Sequence, residues 1–306
     1  MNIITCVSYH HFERTPSAFT RHLGVSSSPH AFAQQLAYFN RHYSPISLDR
    51  LLAGGGLPDN PLLLTIDDSY RSVLDIAAPM LEEARVPALL LSNPRVIAGG
   101  FAPIDNVLSF AMTELGPTGL GIAIGLSDPW SCTLRRIVRE VLPPLSVAQR
   151  EDLKQRLLKL LNVREADLVR HMDLFLDPAG LKQLAGQYGF SLGSHTATHM
   201  HLRSLSRGSA RQEIEDGKQL VEDMSGAKVR AFSFPYGSHL DATPANLELI
   251  RGSGHDAIFL VQRRTNAVRP AADIWYRQGM SQELGYQLPV KLTWLPRMGE
   301  LKAALN

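Results

Sequence analysis

A chain of 306 residues, 44% hydrophobic and 20% charged, has the composition of an ordinary soluble globular protein. Lys plus Arg total 31 against 29 Asp plus Glu, and a net charge of +2 makes no electrostatic case for nucleic acid or an anionic membrane surface as partner. The two cysteines, Cys6 and Cys132, are far apart and outside any CxxC spacing, which argues against a disulfide framework and fits a reduced compartment or simple packing.

In chain order, Ile3 to Tyr9 reads as a buried strand ending in Tyr9-His10-His11. Ser28-Pro29-His30 then opens a helix with Phe32, Leu36 and Phe39 on one face. Gly54-Gly55-Gly56 breaks the chain before the apolar run Leu62 to Ile66, which ends in Asp67-Asp68. A helix over 72–84 and a strand over 88–91 follow. From about 101 to 177 the pattern changes to a loop over 116–125 and helical periodicity over 133–142 and 147–171, which predicts a helical insertion within one domain spanning 1–306. Regular alternation then resumes: helix 178–188, strand 190–194, helix 207–224, strand 229–234, helix 244–252, and strands 257–261 and 274–277. Strand and helix repeating in this order predict a parallel α/β fold, in which chemistry gathers beyond the carboxyl ends of strands.

Polar clusters fall at four such ends: Tyr9-His10, Asp67-Asp68, Ser194-His195 and Pro235-Tyr236. His195 and His199 stand at i, i+4 and can reach one ion from a helical turn, whereas a polar surface turn is the bland reading of that spacing. Adding one carboxylate of the Asp67-Asp68 pair gives three protein ligands with a position left open, as in catalytic zinc sites. The second acid then remains as a base for a water acidified by the cation. Helix capping would account for one acid of the pair but not for both.

These motifs, in this order, resemble the polysaccharide deacetylase family, the NodB-homology group of carbohydrate esterases. Its Thr-Phe-Asp-Asp motif stands here as Thr65-Ile66-Asp67-Asp68, its His-x-x-x-His as His195 to His199, and its third motif as Ser233-Phe234-Pro235-Tyr236-Gly237, in the manner of a Tyr-Pro-Tyr-Gly branch. The resemblance runs from about residue 3 to 277, interrupted by the insertion. It implies a distorted (β/α) barrel and hydrolysis of an N-acyl group, usually acetyl, from an amino sugar. Carried over by position, Asp67 is the general base and Asp68, His195 and His199 bind a divalent ion, Zn²⁺ first, with Co²⁺, Ni²⁺ or Mn²⁺ as substitutes. The backbone at Pro235 and Tyr236 would face the oxyanion.

The chain departs from the family pattern in several places. Ser69 follows the acids where Gly is usual, and Ser233 stands where many members carry the Arg that orients the base. No Asp-Trp motif is found, and the usual late Leu-x-His is absent because His255 is the last histidine. In the branch resembled, the first strand ends in Tyr-His, which makes His10 the expected catalytic acid, and a late-strand Arg matches Arg277, a candidate for orienting Asp67. His11 is expected to face solvent, and His201 to pack or cap. The substrate expected is an N-acylated amino sugar in a polymer, a lipid-linked intermediate or a small molecule. No leader or membrane span is visible, so a cytoplasmic location is expected. The rival expectation is a catalytically retired barrel that binds a glycan or a partner protein.

Overall fold

A computed structural model describes residues 3–53, 55–187, 189–267 and 272–298. Seven strands close into a ring: β1 (Ile3–Tyr9), β2 (Pro61–Asp67), β3 (Ala88–Ser92), β4 (Phe190–Ser194), β5 (Ala231–Ser233), β6 (Ala257–Val261) and β7 (Ile274–Gly279). Every neighbouring pair is parallel, and β1 closes the barrel by pairing with both β2 (Ser8↔Thr65) and β7 (Cys6↔Arg277). The expected (β/α) barrel is therefore what forms.

Strands buried on both faces read as continuous apolar runs, and Pro61 to Asp67 is buried at every position. Ile4, Cys6, Leu63, Leu89, Leu91, Phe259 and Trp275 form one cluster with Ile46 and with Leu48 and Leu51 of a short helix, while Leu62, Leu64 and Leu90 pack with the surrounding helices. Gly193 lacks a side chain for a packing reason: a Cβ there would lie 2.6 Å from Leu91 Cδ2 and 2.8 Å from Ala231 O. Cys6 and Cys132 are buried and free.

Helix α1 (Pro29–His42) starts where expected, with the Ser28 hydroxyl accepting from Ala31 N, and its buried face carries Phe32, Leu36 and Phe39. The 101–177 stretch lies between β3 and β4 and builds its own apolar cluster around Val107, Leu108, Leu153 and Leu157, joined by Phe19. Its first helix, α2 (Ile104–Ala123), corrects the loop expected over 116–125. Gly116 takes φ +70° and breaks the helix direction, but Pro117 then restarts it, since proline suits a first helical turn. The single helix expected over 147–171 is two, α3 (Val147–Leu160) and α4 (Glu165–Met172), separated by Asn162 at φ +53°. Later elements follow expectation: Pro178–Ala185, α5 (Arg207–Ser225) and Pro244–Gly252. The expected helix end at Tyr188 and the break at Gly54 lie outside the described residues.

His11 does not face solvent. Its ring is buried 4.6 Å from that of Tyr70, Nδ1 lies 2.8 Å from Ser72 Oγ, and Nε2 lies 3.2 Å from Glu13 Oε2. The cause is a second short pairing, His11–Phe12 with Ser26–Ser27, which folds the chain back over the end of β1. Among the described residues no helix is long and apolar enough to cross a membrane.

Candidate metal centre

The site assembles at the carboxyl ends of four barrel strands. β2 ends in Asp67, followed by Asp68 and Ser69 with left-handed backbones, φ +74° and +57°. Ser69 is fully buried in a conformation that favours glycine, and its hydroxyl accepts from Asn93 N at 3.2 Å. The Asn93 amide in turn donates to the carbonyl of His195, so Ser69 helps fix the loop that carries the histidines.

Asp68, His195 and His199 converge, with one potential ligand atom from each lying within 4.8 Å of the others. Asp68 Oδ1 stands 3.5 Å from His195 Nε2 and 3.4 Å from His199 Nε2, and it is buried with no hydrogen-bond donor. The far ring nitrogens are anchored. His195 Nδ1 lies 2.9 Å from the carbonyl of Ser233, and His199 Nδ1 lies 3.0 Å from Asp105 Oδ2. The Ser233 carbonyl and the Asp105 carboxylate accept, so each Nδ1 can donate outward while each ring turns its Nε2 towards the Asp68 oxygen. Two ring nitrogens and a carboxylate oxygen that converge without a hydrogen-bond donor to that oxygen suit a cation placed between them. The donor set, one carboxylate and two imidazoles with their outer nitrogens anchored, fits a divalent ion of the zinc type.

Asp67 points elsewhere. Arg277, fully buried on β7, donates Nη1 to Asp67 Oδ1 at 2.7 Å and Nη2 to Oδ2 at 2.8 Å. A further bond from Nη1 reaches Thr65 Oγ1 at 2.9 Å. Burial pushes the Asp67 carboxyl up, but the Arg277 guanidinium outweighs it and holds the group at about 2, below its ordinary 3.8. His10 Nε2 lies 3.9 Å from Asp67 Oδ2 and is partly exposed. Ser233, at the position where many members of the resembled family carry arginine, instead holds His195 through both its carbonyl and a hydroxyl 2.5 Å from Nδ1.

Burial lowers His195 to about 4. Burial also disfavours charge on His199, but Asp68 and Asp105 outweigh it and raise that ring above its ordinary value. Tyr236 has a left-handed backbone at φ +61° and follows Pro235 on the cavity side of β5. Its ring stacks on His201 at 3.9 Å, and its hydroxyl donates to Asp105 Oδ2 at 3.0 Å. His201 therefore packs, as expected, and its Nδ1 lies 3.0 Å from Nη2 of buried Arg150 on α3.

Asp105 and Arg150 are the residues that sequence reasoning missed. Both lie in the insertion, where neither a strand end nor a motif marks them. Asp105 anchors a metal-ligand candidate and Tyr236 at once, so the insertion takes part in the centre itself. A cavity of about 470 Å³ opens over the site, with Asp67, Asp68, His10, His195, His199 and Tyr236 in its wall.

Residues 161–251, which include both histidines and Tyr236, match the family model described as polysaccharide deacetylase. No curated protein matches the chain. Among solved structures, the deacetylase PplD of Streptococcus pyogenes, in complex with acetate, aligns with 95% of this chain and 98% of its own at 17% identity and a TM-score of 0.57. A de-N-acetylase from Aggregatibacter actinomycetemcomitans aligns over 94% and 98% at 12% identity and a TM-score of 0.61. IcaB from Ammonifex degensii aligns over 97% and 98% at 18% identity and a TM-score of 0.57. At such identities these three show a shared fold. The stretch that carries both histidines and Tyr236 thus matches the polysaccharide deacetylase family in sequence, and the barrel as a whole shares its fold with these three structures.

Proposed function

We propose that this protein is a metal-dependent hydrolase that removes an N-acyl group, acetyl first among them, from an amino sugar. One observation carries the reading: the adjacent acids Asp67 and Asp68 enter opposite environments, one clamped by Arg277 and the other facing two imidazole Nε2 atoms. A pure binding protein has no use for that division, which is how acid–base sites are set up.

Asp68, His195 and His199 would hold the ion, and when bound it would polarise the amide carbonyl and acidify water. Asp67 accepts the proton of the attacking water, its carboxylate kept ionised and oriented by the Arg277 fork. The water oxygen bonds to the carbonyl carbon, and the backbone at Pro235 and Tyr236 faces the developing oxyanion. The C–N bond then breaks, and His10 supplies the proton that the departing amine takes up. The products are a carboxylic acid and a free amino sugar; the acetate in the PplD structure is the acid such a reaction would release. The chain is read as one catalytic domain in which the insertion forms a wall of the cleft.

The test is a panel of N-acetylated and N-formylated amino sugars incubated with zinc-loaded protein, scored by primary amine released. Release that stops with EDTA and returns with zinc is expected. A metal-loaded protein that binds members of the panel but frees no amine would favour the retired barrel instead.

A further inference from the structure

The cavity over the metal centre is lined by two unlike groups of charged residues. Of its lining carboxylates, Asp67 is held by Arg277 and Asp105 by His199 and Tyr236, while Asp68 faces the two imidazoles. Leu134, Arg135, Val138 and Arg139 of the insertion also line the cavity. This segment is fixed in place, with the Thr133 side chain capping its start and Leu134 and Ile137 buried in the insertion's own core. Arg135 and Arg139 are exposed, and neither has an acid within ion-pair distance among the described residues. The nearby acid Glu140 is taken by Arg136, whose Nε lies 3.2 Å from its Oε2.

Two unpaired guanidiniums four residues apart on one cavity wall repel each other and raise the local potential, a standing preference for an anion. Their planar forks match phosphate or carboxylate oxygens in pairs. A neutral N-acyl sugar offers hydroxyls that can accept from them but no charge to answer theirs. We propose that Arg135 and Arg139 form an anion subsite, and that the substrate is an N-acyl amino sugar bearing a phosphate or carboxylate group. The proposal rests on the deacylase reading for what happens at the metal end, but not for binding itself.

Calorimetric titration of EDTA-treated protein tests it, since chelation stops turnover and removes direct coordination of the anion by metal. The probes are N-acetylglucosamine, N-acetylglucosamine 6-phosphate, N-acetylmuramic acid and UDP-N-acetylglucosamine, against wild type and Arg135→Gln/Arg139→Gln. At least one anionic probe should bind about tenfold or more tightly than the neutral sugar, with the advantage shrinking as salt rises. Whether phosphate or carboxylate carries the advantage identifies the group. The double substitution should abolish it while leaving neutral-sugar binding and the melting temperature unchanged, and Arg135→Lys/Arg139→Lys should restore part of it. Equal affinity for neutral and all anionic probes, or an advantage that survives the double glutamine substitution, overturns the proposal. Failure of the metal-loaded protein to release amine from any N-acyl sugar would count against the deacylase reading alone.

Discussion

Removing Arg277 probes the buried charge pair on which the assignment of Asp67 rests. Arg277→Ala deletes two bonds to the Asp67 carboxylate, at 2.7 and 2.8 Å, and one to Thr65 Oγ1 at 2.9 Å. Asp67 is only 2% exposed, so its charge is left with neither water nor partner. Breaking a buried pair from one side costs about 3–5 kcal/mol. The depression of the Asp67 carboxyl from 3.8 to about 2 corresponds to roughly 2–3 kcal/mol at about 1.4 kcal/mol per unit, the same order. The assay is urea unfolding of chelator-treated protein in a double-mutant cycle of Arg277→Ala, Asp67→Asn and the pair. Because the double variant buries no unpaired charge, it should be less destabilised than the sum of the singles by about 2 kcal/mol or more. Arg277→Lys should retain part of the stability, having the charge but not the fork. Additivity within about 0.5 kcal/mol would refute the reasoning, because the pair would then contribute nothing as a pair.

Asp105→Ala should weaken zinc binding about 10- to 100-fold by competitive chelation, because it frees the outer nitrogen of His199; unchanged affinity would remove Asp105 from the centre. His10→Ala should flatten the basic limb of the pH–rate profile, since an acid must be protonated to act, and an unaltered profile would exclude it. Stability should also fall in acid through His255, whose Nε2 lies 2.9 Å from Ser194 Oγ and which burial lowers from 6.5 to about 4. Its folded value lies below the unfolded one, so the unfolded chain takes up the proton first. Stability is then complete above about pH 6.5 and is lost towards about pH 4, by roughly 3 kcal/mol for this group. His255→Gln should lower the melting temperature at pH 7 yet lose less than wild type between pH 7 and 4.5; parallel curves would contradict this.

Much of the barrel was legible because its strands are buried on both faces, so runs such as Leu62 to Ile66 stand out without ambiguity. The convergence of Asp68, His195 and His199 was legible because Asp68 ends an apolar run and the two histidines stand at i, i+4 just past a strand. Arg277 could be marked only by resemblance, since nothing local says that an arginine at the end of Ile274 to Arg277 turns into the barrel. Its partner Asp67 lies 210 positions away in sequence. Asp105 and Arg150 were illegible for a related reason: their partners His199 and His201 belong to another part of the chain, and the insertion has no periodic signal for an inward polar contact. Local breaks at Gly116 and Asn162 depended on single backbone torsions, to which hydrophobic periodicity is blind. His11 was misjudged because a two-residue strand pairing, too short to show as a pattern, covers it.

The most direct test of the account is to determine metal content and amine release together on Asp67→Asn. The account predicts about one zinc per chain, as in wild type, with amine release reduced at least about 10²-fold, as for loss of a general base. Near-normal release by this variant, or loss of its metal together with its activity, would contradict the division of the two acids into base and ligand.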